Sequence, residues 1–264
     1  MELLIAVASF GMIALASVLF LVQSGARELG YWFGRRHGSP TPDEREGIGV
    51  VVGTMLGLLS FVIAISLGST STRYDQRRAV TLAEANAIAT ARVRTDPIDD
   101  PRSAAIGRMI QRYAQVRADF VAAPGEASVL ERLDGQALAL QQQIWSEFVP
   151  LMREKTNPAT ANLEIALNQM FEASRGTRFA LFTPYAEWLF WLLMAMALIA
   201  MAGLGYQLGL RGKPLRVLAT LLTVMWTMVI VSIVDLGSAR VGGIRISVAP
   251  YEWAIQSFEP LQGN

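Results

Sequence analysis

Four charge-free apolar runs interrupt an otherwise well-solvated chain: Leu3 to Val22, Ile48 to Leu67, Trp188 to Leu210 and Val217 to Val234. A helix of about 20 residues crosses the roughly 30 Å of bilayer hydrocarbon. It also satisfies every backbone polar group where water is absent, so the four runs predict four transmembrane helices. The first run is read as a retained span rather than a cleaved leader, because Met1-Glu2 offers no basic residue before it. Tyr31, Trp32 and Phe33 behind the first run, and Tyr185, Trp188, Phe190 and Trp191 at the start of the third, suit the membrane interface. A longer loop is expected over Gln23 to Gly47, with Arg27, Arg35, Arg36 and Arg45. The tight turn Arg211 to Arg216 makes the last two spans an antiparallel hairpin.

Between the second and third spans the pattern changes to that of amphipathic helices in water. No Pro or Gly follows Gly68 before Asp96, so the second span is expected to continue into the aqueous phase as one rod. Asp100-Pro101 reads as an N-cap with proline at the first helical position. Beyond it, Ile106, Met109, Ile110, Tyr113, Val116 and Phe120 recur at helical spacing. Pro124-Gly125 ends that helix. A third carries Leu130, Leu133, Ala137, Leu140, Ile144, Phe148 and Leu151, with Pro150 expected to kink or end it. After Asn157-Pro158 a fourth presents Leu163, Ala166, Leu167, Met170, Phe171 and Ser174.

The predicted fold is an all-α membrane protein: four transmembrane helices plus an extramembrane antiparallel helical bundle inserted between the second and third spans. Residues 1–68 form the first two spans, 69–184 the bundle, 185–235 the hairpin and 236–264 a tail. In the tail, Ile244, Ile246 and Val248 suggest a short strand, and Pro250 to Trp253 an interfacial anchor.

Composition narrows the function. Of 264 residues 52% are hydrophobic and 17% charged, too apolar for one water-soluble domain and suited to lipid as the partner. A net charge of +1 gives no field to hold nucleic acid. With no Cys and only His37 there is no thiolate or multi-histidine metal site, and no cofactor is expected. No nucleophile elbow, phosphate loop or metalloprotease helix occurs, so no catalytic residue is assigned and an enzyme is not expected. The two short loops hold seven Lys and Arg, which places them in the cytoplasm of an inner-membrane protein with the bundle outside. Counting Arg73, Arg77, Arg78, Arg175 and Arg178 near the membrane, with Arg240 and Arg245 of the tail, brings the opposite side to seven as well.

Four constellations are candidates for function. Gly49, Gly53, Gly57, Ser60, Ala64 and Gly68 share one face of the second span; small residues there admit a helix of the same chain, a second copy or a water-filled path. Gly205 and Gly209 repeat the signal more weakly in the third span. Thr220, Thr223 and Thr227 lie on one face of the fourth, either lining a polar path or bonding back to carbonyls four residues earlier. Arg73, Arg77 and Arg78 follow the second span, where they can concentrate anions at a pore mouth, hold lipid headgroups, or pair with Asp75 and Glu84. Asp235, where the fourth span ends, is an interfacial charge or a partner for Arg240.

The run Ser71-Thr72-Arg73-Tyr74-Asp75-Gln76-Arg77-Arg78, continuing through Glu84-Ala85-Asn86, resembles a bacterial membrane family called bestrophin-like, long known only as a domain of unknown function. Asn168 within Ala166 to Met170, Arg178, and the closing set Asp235, Arg240, Gly242, Ile244 and Ser247 fit the same pattern. Leu236 to Ala239 depart from it, lacking an acidic residue and a proline. Bestrophins are pentameric anion channels with four spans and a cytoplasmic helical domain between the second and third, so the resemblance implies a homo-oligomer that passes small anions, with the bundle on the side opposite to the loop-charge reading. It also implies a narrow apolar neck on the second span, for which Leu59, Ile63 and Leu67 have helical spacing. The expected function is a bestrophin-like anion channel. The competing expectation is a non-conducting scaffold or sensor whose bundle binds a partner or ligand.

Overall fold

A computed structural model describes residues 11–37, 40–182, 187–213, 215–238, 240 and 242–258. The start of the first run and Tyr185 lie outside them. Every regular element among the described residues is a helix: α1 Met12–Arg36, α2 Pro42–Val93, α3 Pro101–Ala122, α4 Ala127–Glu154, α5 Pro158–Phe182, α6 Glu187–Leu210, α7 Arg216–Gly237 and α8 Ala249–Gln256. The chain divides into two compact units, residues 1–73 with 184–244 and residues 74–183 with 245–264. The tail is therefore shared between them at residue 244.

Helices α1, α2, α6 and α7 are long and apolar enough to cross a membrane. They meet in a core of Leu15 and Leu19 from α1, Leu59 and Ile63 from α2, Phe190, Leu193, Met194, Ala197 and Ala200 from α6, and Ile230 and Ile233 from α7. Ile13, Leu21, Phe61, Ile65, Trp188, Ile199, Leu221 and Met225 point outward, as side chains solvated by lipid do. The expected loop from Gln23 does not form. Helix α1 runs on to Arg36 and leaves only residues 37–41 before α2, so Arg27 drops out of the loop charges that suggested an orientation.

The reason α1 continues is a close fit to α6. An alanine Cβ at Gly30 or Gly34 would fall within 3.0 Å of the α6 backbone at Ala202 or Tyr206, and one at Gly205 or Gly209 would meet the α1 backbone at Arg27 or Tyr31 just as closely. Two four-residue glycine spacings interlock, backbone on backbone, which is how membrane helices gain dispersion contact without a hydrophobic driving force.

The second unit is built on the predicted stripes. Ile106, Ile110, Tyr113, Phe120, Leu130, Leu133, Leu140, Ile144, Phe148, Leu163, Leu167 and Met170 are all buried. Asp100 caps α3 by accepting from the Arg102 amide at 2.9 Å. Asn157 does the same for α5, accepting from Ala159 and Thr160, each at 2.9 Å. Pro150 does not end its helix: α4 continues to Glu154. No strand forms over Ile244 to Val248. Tyr251, expected at a membrane interface, is fully buried, because α8 packs on α3 and gives its hydroxyl a partner inside the unit.

Candidate functional site

The charge-free part of α2 has two unlike sides. Val52, Leu59 and Ile63 are buried, whereas Gly53, Gly57, Ser60, Ala64 and Gly68 are exposed. A Cβ added at Gly53, Gly57 or Gly68 would meet nothing within 4 Å. Only Gly49 touches a neighbour, Gln207 of α6. Intrachain packing, the first of the three readings of this face, thus holds for Gly49 alone among these glycines. Ser60 donates to the Leu56 carbonyl at 2.9 Å and keeps its lone pairs outward.

The expected constriction needs correction. Leu59 and Ile63 belong to the core between the chain's own four helices, and of the three only Leu67 is exposed. Apolar spacing alone could not say which side of the helix α1, α6 and α7 would cover.

The threonine stripe of α7 faces α1. Arg27, in a charge-poor helix and 8% exposed, donates through Nη1 to Thr220 Oγ1 at 3.2 Å and to Thr223 Oγ1 at 3.4 Å. Its Nη2 reaches Glu28 at 3.2 Å. Gln23, fully buried, donates to Thr227 Oγ1 at 3.2 Å. Thr223 and Thr227 also donate back to Ala219 and Thr223 carbonyls at 2.8 Å, so each hydroxyl hydrogen is used locally while its lone pairs solvate the α1 side chains. The stripe is a solvation shell for a buried guanidinium. Thr223→Val is expected to destabilise by about 1–3 kcal/mol, the cost of leaving a buried donor short of an acceptor. Thr54→Val, whose exposed hydroxyl bonds only to Val50 O, should stay near neutral. Unfolding in SDS mixed micelles measures both, and equal midpoints would remove the role assigned to the stripe.

Arg73, Arg77 and Arg78 do not form one basic surface. Arg77 is buried and donates through Nε to the Ala180 carbonyl of α5 at 3.1 Å. Arg78 is exposed, with its guanidinium carbon 5.8 Å from the Tyr74 ring centre. The vestibule reading loses Arg77, because helical spacing turns that position inward.

Glu84 is the centre of the second unit. Fully buried, it receives Arg117 Nε on Oε1, Arg117 Nη2 at 3.1 Å on Oε2, and the Tyr251 hydroxyl at 2.7 Å on Oε2. Around this pair Gln141 donates to Tyr113 at 2.9 Å and to Ser174 at 3.1 Å. Burial opposes the Arg117 charge, but Glu84 more than offsets it and holds the guanidinium protonated beyond its ordinary range. Burial first, then the Glu84 charge, push the Tyr251 hydroxyl well above its usual value; burial also raises Tyr113.

At the end of α7, Asp235 accepts from the backbone of Gly243 at 2.9 Å and Ile244 at 3.3 Å rather than standing as a bare interfacial charge. Gly242 has φ 110°, and a side chain there would run into Asp235. Among the described residues no three His, Cys, Asp or Glu side chains gather as a metal site.

Neither a family model nor a curated protein matches the sequence. Solved structures do match in shape. A bacterial bestrophin homologue from Klebsiella pneumoniae, in a point-variant structure, superposes with a TM-score of 0.64 at 12% identity, over 96% of this chain and 99% of its own. A second structure of that homologue gives 0.64 at 12%, over 93% and 96%. The chain has a bestrophin-like fold.

Within that fold the motif residues have separate tasks. Glu84 is the buried anchor just described. Arg178 is exposed and pairs with Asp134 at 3.0 Å; Asp75, Asn86 and Asn168 are exposed. Asp235 and Gly242 close the turn after α7. Sequence reasoning missed Gly30 and Gly34, although their spacing mirrors that of Gly205 and Gly209, and it placed Gln23 and Arg27 in a loop because a polar side chain ended the apolar run.

Proposed function

We propose that this membrane protein self-associates about α2 and forms a pathway for small anions along the face carrying Gly53, Gly57, Ser60, Ala64 and Gly68. The observation that carries the reading is the asymmetry of α2: one side is consumed by the chain's own core, and the small-residue side is left open over five helical positions. Copies around an axis would bring these faces together, and glycine and serine leave room between helices for a hydrated ion. No carboxylate lies between Gly49 and Gly68 to repel an anion, and the first charged side chain beyond is Arg73. Bestrophin-like architecture supports the same reading, since anion channels share it.

The test is purified protein in planar bilayers under a chloride gradient, with oligomer mass measured in parallel. The wild type should pass current that reverses toward the chloride equilibrium potential. Gly57→Leu places a bulky side chain where the monomer has open space, so the fold should persist while current is lost and the assembly changes. A silent wild type, or a Gly57→Leu protein with unaltered current and mass, would sink the proposal.

A further inference from the structure

The second unit carries a surface groove of about 620 Å³ between α3 and α4. Its floor is apolar: Ala105 and Met109 half-buried, Leu140 buried. Its rim is basic, with Arg102, Arg108 and Arg112 against the single carboxylate of Glu147. The two ends differ. Arg102 pairs with Glu154 at 2.7 Å, so that end is neutralised by the chain itself. Arg108 and Arg112 are exposed and make no ion pair or side-chain hydrogen bond among the described residues. They stand one helical turn apart, where like charges repel. A helix that keeps two unneutralised guanidinium groups beside an apolar floor has the two halves of a recognition site: planar forks for an oxyanion, and a surface for a hydrocarbon body.

We propose that this groove binds a small amphiphilic anion, its phosphate or carboxylate group on Arg108 and Arg112 and its apolar body over Ala105, Met109 and Leu140. A phosphate monoester satisfies both forks at once, since it offers three oxygens and two charges where a carboxylate offers two oxygens and one charge. The size lies in the range of small-molecule pockets, roughly 300–1,000 Å³. The same chemistry occurs in soluble organic phosphates and in the headgroup of phosphatidic acid. The proposal does not depend on conduction, because no groove residue belongs to α2.

The experiment is equilibrium dialysis of radiolabelled butyl phosphate against the full chain in phosphatidylcholine nanodiscs, with empty discs as blank. Butyl phosphate should bind above the blank and more tightly than inorganic phosphate, because the apolar floor contributes, while butanol should not compete. Arg108→Gln with Arg112→Gln should weaken binding about tenfold or more, as expected for loss of charge-assisted hydrogen bonds to an anion. Both side chains are exposed, so helix content by circular dichroism should be unchanged. Arg132→Gln, which removes one charge from the exposed surface of α4, should have no effect, whereas Arg108→Gln or Arg112→Gln alone should already weaken binding. Competition by phosphatidic acid added to the discs would identify a headgroup as the source, and its absence a soluble ligand. Binding indifferent to Arg108 and Arg112, no binding above the blank, or binding of an oligoglutamate peptide in place of butyl phosphate would overturn the proposal.

Discussion

Gly205→Ala should lose about 3 kcal/mol or more of stability, through the addition of one methyl group. The new carbon would sit within 3.0 Å of the Arg27 carbonyl, carbon and the Tyr31 nitrogen, all backbone atoms of α1. A flexible side chain could swing away; a helix backbone cannot, so α1 and α6 must separate along their length and give up the contacts of both glycine pairs. Overpacking typically costs about 1–3 kcal/mol, and a rigid obstacle belongs at or beyond the upper end. Gly25→Ala is the internal control. It lies on α1, the helix that Gly205 meets, faces open space, and should gain up to about 1 kcal/mol from helix propensity. Titration with SDS in mixed micelles compares the two, and a Gly205→Ala protein as stable as wild type would show that the helices are not in backbone contact.

The second large effect is in the other unit. Arg117→Met should destabilise by about 3–5 kcal/mol, because it leaves the Glu84 carboxylate buried with only the Tyr251 hydroxyl and no opposite charge. Glu84→Leu should cost a similar amount for the converse reason: the Arg117 guanidinium keeps a 3.4 Å bond to the Ser174 carbonyl and the Phe120 ring 4.6 Å away, but loses its opposite charge. Together the two substitutions should cost clearly less than the sum, since each removes the group the other orphans. Denaturant unfolding of the full chain, followed through the second unit, gives the coupling. Strict additivity would mean that the pair is not the anchor of this unit.

Much of this architecture was legible from period and punctuation. The cap at Asp100, the helix start at Asn157-Pro158, the uninterrupted α2 and the buried stripes of α3 to α5 follow from local rules that neighbouring elements do not override. What was hidden depends on which elements meet. Leu59 and Gly57 look equally available on a helical wheel, yet one is core and the other open, and only the placement of α1, α6 and α7 decides between them. Arg27 reads as a loop charge until three threonines 193 to 204 residues away supply its shell and that of Gln23. Tyr251 reads as a membrane anchor for the same reason: a ring with a hydroxyl suits an interface, and nothing local announces a buried carboxylate 167 positions upstream.

The distance in sequence between Arg27 and its threonines also sets a problem of timing. At about 5–20 residues per second a ribosome needs roughly 10–40 s to make the intervening chain. Through that interval α1 carries a guanidinium and two bare glycine notches without their complement. A nascent α1 released early into the bilayer would seek water or a foreign helix, so biogenesis depends on the insertion machinery retaining it until α6 and α7 arrive.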